Sequence, residues 1–386
     1  MSERFFVPCP RGLEGVLAQE LARLGVERPE PASAGVGFAG EFALGAWVNL
    51  TSRIATRVLW QVGEGDYRNE DELYRLARDI PWPRHFAVER TIRVDVRAQR
   101  SPLRSLEFAA LRVKDAVCDR FRAQLGARPS VDTVAPQVRL WVFLQERRAR
   151  LYLDLSGEPL YRRGFKRSTV AAPLKENLAA GILMLTGWRP EEPLVDPMCG
   201  SGTFLLEAAM AARGIAPGLA RGFALENLEN FDPAQWRALR RRAEALRRDV
   251  PLRLWGSDVD PAMVAAARDN LAAAGLEEAA HWQVADVGEL VAPAPEGVLV
   301  SNPPYGVRLD EAQRLAAWYP RLGDALKRHW TGWRAWILTA DPELPRAIGL
   351  KASRRVPLFN GALECRLLEY RLVAGPMRRR VSSTPP

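Results

Sequence analysis

The chain is poor in the residues that most often carry metal or nucleophilic chemistry. Its three histidines (His85, His281, His329) and four cysteines (Cys9, Cys118, Cys199, Cys365) are scattered, with no CxxC pair. Such spacing offers neither a zinc-ligand cluster nor a disulfide framework, and isolated histidines argue against a His-based triad, so no metal is expected. Lysine is scarce too, five residues against fifty arginines. There is no uninterrupted apolar run of the ~18 residues that a membrane span needs, and the opening MSERFFVPCPRG lacks a basic segment followed by an apolar one. The expectation is a cytoplasmic protein without membrane association.

What the chain does have is bulk and positive charge. Its 386 residues amount to about two and a half average domains, and 47% apolar with 26% charged residues is the balance of a folded globular protein. Lys and Arg exceed Asp and Glu by 55 to 46, a net charge of +9. That excess favours a polyanionic partner, most simply nucleic acid. The arginine preference taken alone also fits an ordinary solvated surface.

Periodicity divides the chain into modules. Over 1–65, ERFFVPC, GLEGVLAQELARLG, GVGFAGEF, ALGAWVNLT and ATRVLWQVGE alternate strand-like and helical stretches, the pattern of a small α+β module. Over 66–156, EDELYRLARDI and SLEFAALRVKDAVCDRFRAQLG read as helices and TIRVDVRA, VRLWVFLQE and RARLYLDLSG as strands. The basic, turn-rich 157–189 reads as a linker in which Pro173 opens a lead-in helix through LAAGILMLTGW. From 190 to 375 strands and helices alternate, which implies an α/β domain with a mostly parallel, doubly wound sheet, closed by an antiparallel hairpin around Asn360-Gly361. The basic tail 376–386 is expected to be disordered. Trp47, Trp60, Trp82, Trp141 and Trp236 read as core residues.

Four features stand in order at successive strand ends of the 190–375 module. Asp196-Pro-Met-Cys-Gly-Ser-Gly-Thr203 joins the strand PLV to a helix, and its glycines let the backbone approach a ligand closely. It is not a dinucleotide fingerprint. Leu205 stands where the third glycine of G-x-G-x-x-G belongs, and the next strand-end acid, Asp258, comes 56 positions after Gly202 rather than ~20. Asp258 in WGSDVD can accept both hydroxyls of a ribose, whereas Asp260 reads equally as a helix N-cap. Asp286 in VADV ends the next strand, where a single aspartate also suits a turn. Asn302-Pro303-Pro304-Tyr305-Gly306 ends the one after, and two prolines with an aromatic make a rigid ledge with a stacking face.

Asp196 to Thr203, Asp258, Asp286 and Asn302 to Tyr305 together resemble the motifs of class I S-adenosylmethionine-dependent methyltransferases, in particular those that methylate exocyclic amino groups. With CPRGLEGVLAQEL, LYRRGFKR, APLKENLAAGIL, APGLAR and FNGALECRL, the likeness extends over nearly the whole chain. It is a likeness to bacterial THUMP-domain methyltransferases that form N2-methylguanosine in RNA, of the RlmL type acting on large-subunit rRNA. The resemblance implies a Rossmann-like class I methyltransferase domain preceded by a ferredoxin-like module (1–65) and a THUMP RNA-binding module (66–156), with S-adenosyl-L-methionine as cofactor and RNA as partner; the chain is expected to be a monomer. It implies a cofactor site made by Asp196, Met198, Cys199, Gly200, Ser201, Gly202, Thr203, Asp258, Val259, Asp286, Val287 and Asn302, and a catalytic ledge of Asn302, Pro303, Pro304 and Tyr305.

The chemistry suits those residues. An exocyclic amine is a weak nucleophile because its lone pair is delocalised into the ring. The Asn302 side-chain oxygen and the Pro303 carbonyl can accept its two N–H hydrogens and draw the nitrogen toward tetrahedral geometry, while Tyr305 stacks on the flipped base. Basic clusters at Arg162, Arg163, Lys166 and Arg167, at LRRRAEALRR (239–248) and in the tail are able to contact phosphate, although LRRRAEALRR also reads as the solvated face of a helix. Three alternatives stay open at this point: tRNA in place of rRNA, an adenine-N6 methyltransferase using the shared NPPY motif, and a non-catalytic RNA-binding assembly factor on a methyltransferase fold.

Overall fold

A computed structural model describes residues 2–165, 174–304 and 309–374, the last without the side chains of 309–316. The chain divides into two compact units, Met1–Gly164 with Ile215–Arg247, and Phe165–Gly214 with Arg248–Pro386.

The first unit contains β1 (Glu3–Pro8), α1 (Glu14–Arg23), β2 (Glu30–Ala32), β3 (Gly35–Gly40), α2 (Phe42–Thr51), β4 (Leu59–Asp66), α3 (Glu70–Asp79), β5 (Ile92–Gln99), α4 (Leu106–Leu125), β6 (Val138–Gln145) and β7 (Arg148–Asp154). The strands form one seven-stranded sheet in the order β2-β3-β1-β4-β7-β6-β5. The two N-terminal modules read from the sequence therefore share a sheet. β4 runs across their 65/66 boundary and pairs antiparallel with β7, from Leu59 opposite Asp154 to Asp66 opposite Arg148. Each module alone would leave a bare strand edge there, and pairing removes both edges. β2 carries no strand signal because Pro31 interrupts it. It sits at the sheet edge, where a residue without an N–H is tolerated. Helix starts follow local capping: the Asn69 side chain accepts the Glu72 N–H at 2.9 Å and Ser105 Oγ accepts the Phe108 N–H at 3.1 Å.

Between the elements of the second unit the chain returns to the first over Ile215–Arg247, which includes α7 (Pro233–Glu244). Strand–helix alternation does not reveal this return, which interrupts the stretch read as one module. Gly218 donates its N–H to the Leu50 carbonyl at 3.0 Å, and a Cβ there would lie 2.7 Å from that oxygen, so the approach needs glycine. Three residues on, Arg221 donates to the carbonyls of Ser156, Glu158 and Pro159 at 3.1, 2.6 and 2.8 Å. Burial, with the Arg163 guanidinium nearby, pushes its pKa down to about 10.

The second unit contains α5 (Glu176–Thr186), β8 (Leu194–Asp196), α6 (Thr203–Ala212), β9 (Leu254–Asp258), α8 (Pro261–Ala273), β10 (His281–Val284), β11 (Val298–Ser301), α9 (Leu309–His329), β12 (Arg334–Thr339), β13 (Arg354–Asn360) and β14 (Leu363–Arg371). Its sheet has the order β10-β9-β8-β11-β12-β14-β13, with β8 to β12 parallel and β14 antiparallel to both neighbours. This is the doubly wound sheet with a closing hairpin that the sequence implies. Asn360 pairs with Leu363, so the turn residues are Gly361, at φ +67°, and Ala362, one place later than the Asn-Gly signal suggests. Pro173 and the tail lie outside the described residues. Trp330 and Trp333, fully buried with ring centroids 5.0 Å apart at 89°, pack with Leu326, Ile337 and Tyr370 in the core. From β8 the sheet order steps one way to β9 and β10 and the other way to β11 and β12. Such a reversal opens a crevice at the carboxyl ends of β8 and β11.

Arg221→Ala removes the donors of three carbonyls at once. It is expected to destabilise the protein by about 1–3 kcal/mol, with Arg221→Lys recovering little because an ammonium lacks the planar fork. The urea midpoint measures this, and an unchanged midpoint at constant slope would show that the clamp contributes nothing.

Candidate active site

The glycine turn after β8 is shaped by two residues in left-handed backbone, Gly200 at φ +50° and Gly202 at φ +76°. They serve different ends. A Cβ at Gly200 would meet nothing within 4 Å, whereas a Cβ at Gly202 would lie 2.8 Å from the Cβ of Ala267 in α8. Gly200 thus faces open space, and Gly202 lets α6 begin tightly against α8. The turn is held by its neighbours. Cys199 donates its N–H to the Ser257 carbonyl at 2.8 Å, the Asn270 side-chain amide donates to the Ser201 carbonyl at 3.0 Å, and Gly200 donates its N–H to Asp258 Oδ2 at 2.9 Å.

The two acids after β9 separate in role. Asp260 caps α8, accepting the Ala262 N–H at 2.8 Å, and is committed to the helix. Asp258 accepts the N–H groups of Gly200 and Asp260, and a carboxylate with about four acceptor positions retains room for a diol. The next residue, Val259, is 69% exposed, an apolar surface suited to a flat ring. Val287 corrects the sequence reading in one respect: its side chain is buried in the core with Leu290 and Leu299, so only its backbone can face a ligand. Asp286 accepts the Gly288 N–H at 2.7 Å, the turn role.

Asp196 lies beneath the turn, 2% exposed. Its Oδ1 accepts the Met198 N–H at 3.3 Å and the Ser301 hydroxyl at 3.1 Å. Burial raises its pKa to about 7, the two hydrogen bonds offsetting only part of that. Cys199, Ser201 and Thr203 are buried as well, and burial pushes the Cys199 thiol up, leaving Met198 and Gly200 as the half-exposed part of the turn. Ser301 ends β11 fully buried, Asn302 follows half-buried, Pro303 is buried and Pro304 exposed. Tyr305 lies outside the described residues. Sequence reasoning missed Ser301, Asn270 and Ala267. Ser301 adjoins the NPPY motif, whereas Asn270 signals itself only as a polar residue on the inner face of an otherwise alanine-rich helix.

The proposed RNA contacts divide. Arg162 is exposed and pairs with Glu158 at 2.5 Å. Arg163, expected to contact RNA, is 2% exposed and donates to the carbonyls of Leu160 and Arg53, so it is structural. Lys166 and Arg167 lie outside the described residues. Within 239–248, Arg240 donates to the Leu219 carbonyl at 2.6 Å and Arg242 lies 4.3 Å over the Trp47 ring.

Known proteins share this organisation. An RMKL-like methyltransferase domain matches residues 163–369, a THUMP domain 67–154 and an RlmL ferredoxin-like domain 4–59. A Synechocystis protein described as a candidate RNA methyltransferase is 40% identical over 95% of this chain and 96% of its own. The ribosomal RNA large subunit methyltransferase K/L of Syntrophotalea carbinolica is 42% identical over 95% of this chain and 53% of its own, so the chain spans about half the length of that relative. A solved candidate methyltransferase, SMU.472, complexed with SAH, is 30% identical with a TM-score of 0.88, covering 97% of this chain and 99% of that one.

Asp196 makes stability depend on pH. An unfolded aspartate titrates near ~3.9, and folded Asp196 at about 7. Between these values the native protein keeps a proton that the unfolded chain has lost, so stability falls as pH rises and levels off above pH 7. Asp196→Asn keeps the acceptor without the charge. It is expected to flatten that decline and to exceed the wild type at pH 8 by on the order of 4 kcal/mol. Denaturant titrations at pH 4.5 and 8 check this, and parallel declines in both proteins would place the titration elsewhere.

Proposed function

The chain belongs to the RMKL-like methyltransferases that carry RlmL-type ferredoxin-like and THUMP domains, and from that footing we propose that it methylates the exocyclic N2 of a guanine in RNA, with large-subunit rRNA as substrate and S-adenosylmethionine as donor. The observation that carries the reading is the buried hydrogen bond from Ser301 to Asp196, which ties the glycine turn at the end of β8 to the residue immediately before Asn302.

The crevice fits the donor in kind. Gly200 offers backbone facing open space, Val259 an exposed apolar surface for the adenine, Asp258 acceptor positions for the ribose hydroxyls, and Asp196 a carboxyl beneath the turn whose charged form a bound cation favours. When bound, S-adenosylmethionine supplies a methyl group on a positively charged sulfur, an electrophile that needs no activation. The chain then has to aim the nucleophile. Asn302 and the Pro303 carbonyl accept the two amine hydrogens, Pro303 holds its carbonyl on a fixed backbone, and Tyr305 gives the flipped base a stacking face. Positioning suffices, and no general base of tuned pKa is required. A net charge of +9 suits an RNA substrate, with exposed Arg162 and the neighbouring Lys166 and Arg167 as phosphate contacts. The name of the Syntrophotalea relative supports rRNA over tRNA. A monomer acting in the cytoplasm, where ribosomes are assembled, completes the reading.

Incubation with labelled donor and rRNA, tRNA or duplex DNA, followed by nucleoside analysis, tests it. The expected product is N2-methylguanosine in rRNA. The same product in tRNA alone moves the substrate, N6-methyladenine overturns the acceptor, and failure to bind donor in calorimetry points to an assembly factor. Asn302→Ala is expected to slow single turnover by about a hundredfold or more with little change in donor affinity. Asp258→Ala is expected to weaken donor binding by roughly 2 to 3 kcal/mol in titration calorimetry, and unchanged affinity would refute its role.

A further inference from the structure

The ledge that begins at Asn302 is anchored at its near end by the hydrogen bond from Ser301 to Asp196. Its far end leads into α9, which is interrupted. Pro320 lies inside that helix, and because a proline has no N–H the carbonyl four residues earlier loses its helical partner. After the break the helix is pinned. Leu322, Leu326 and Trp330 are buried in the core, and a Cβ at Gly323 would overlap the Ile348 carbonyl oxygen. Before the break runs the stretch that continues from the ledge, joined to the pinned part through a weakened ladder.

Tyr319 stands immediately before Pro320. Its ring is buried, and its hydroxyl donates to Asp341 Oδ2 at 2.6 Å. Burial, with the Asp341 carboxylate beside it, pushes the hydroxyl pKa up, so it stays a donor at neutral pH. Asp341 organises the loop that leaves β12. Its N–H donates to Thr339 Oγ1 at 3.0 Å, and its Oδ1 accepts the Glu343 N–H at 2.8 Å ahead of the short helix α10 (Leu344–Ala347). The parallel ladder puts this strand end beside the ledge. Ser301 in β11 pairs with Ile337 in β12, and β12 runs two residues further, so Leu338 and Thr339 flank the start of the ledge across one strand spacing of about 4.8 Å. The hydrogen bond from Tyr319 to Asp341 therefore joins α9, at its break, to the strand end that borders Asn302. A phenylalanine would fill the same space at 319, so packing alone does not call for the hydroxyl.

We propose that Tyr319 and Asp341 are positioning residues for the acceptor: their hydrogen bond fixes α9 against the end of β12 and so holds the ledge where methyl transfer requires it. The proposal rests on the reading of Asn302 as the residue that aims the amine, and adds what sets the position of that residue. Transfer depends steeply on the distance and alignment of the reacting atoms, so a small relaxation of α9 lowers the rate. The donor side is built on β8 and β9, away from α9, and is left intact.

The test uses the full-length protein with labelled S-adenosylmethionine and purified rRNA and tRNA. Tyr319→Phe is expected to slow single turnover at saturating RNA by about tenfold while donor affinity in calorimetry and the KM for RNA stay unchanged. Amide hydrogen exchange over 309–318 should quicken in the same variant. Tyr74→Phe removes a comparable bond, from the Tyr74 hydroxyl to Asp119 Oδ2 at 2.8 Å in the first unit, and should leave the rate alone. Asp341→Ala should slow turnover at least as much as Tyr319→Phe, and the double variant should be no slower than Asp341→Ala, because both act through one bond. Wild-type turnover in Tyr319→Phe, a loss of donor affinity in step with the rate, or additive losses in the double variant would each overturn the proposal and leave the methyltransferase reading standing. A wild type that methylates no RNA overturns that reading, and the proposal with it.

Discussion

A carboxyl group buried between two parallel strands governs the second unit's crevice. The β8–β11 ladder pairs Leu194 with Val298 and Val195 with Leu299 and goes no further, because here the winding of the sheet reverses. Beyond that point the backbones no longer hold each other. The Ser301 hydroxyl donating to Asp196 bridges the gap that the backbone leaves, and Asp196 in turn receives the Met198 N–H from the glycine turn. One oxygen atom thus fixes both lips of the crevice. Its cost is the desolvation of an acid, visible in a pKa of about 7.

A similar economy shapes the glycine turn. Gly200 and Gly202 look alike in the sequence and both adopt left-handed backbone, yet at Gly200 the backbone alone favours glycine and leaves open space in front of it, whereas at Gly202 the close approach of Ala267 also excludes a side chain. Asp258 completes the arrangement by holding the Gly200 N–H, so a residue read as a ligand-binding acid also shapes the turn opposite.

Most of the second unit's fold and candidate site was legible because the residues proposed to act stand at strand ends, where a strand-to-helix rhythm marks the position and a polar or glycine residue breaks the apolar pattern. Legibility ended where a choice depended on distant parts of the chain. Arg162 and Arg163 are neighbours of one chemistry, but carbonyls at Arg53 and Leu160 claim only the second. Val259 and Val287 follow aspartates at comparable strand ends, and packing around Leu290 draws only Val287 inward. Trp141 departs from the core role read for it and keeps part of its surface exposed, unlike Trp47, Trp60, Trp82 and Trp236, which are buried. It lies on a strand of ordinary alternation, and which parity receives helices is decided by how α3 and α4 pack, not by β6 itself. β2 went unread because Pro31 is forbidden only in central strands.

The return of Ile215–Arg247 to the first unit also orders events in time. A chain leaving the ribosome N-terminus first has all of β1 to β7 available by residue 154, yet Gly218, which bonds to Leu50 in α2, and Arg221, which clamps the segment after β7, are made only after β8 and α6. Domains released in series normally fold one after another. Here the residues that complete the earlier unit are synthesised in the midst of the later one, and neither unit can be cut from the chain as a single uninterrupted segment.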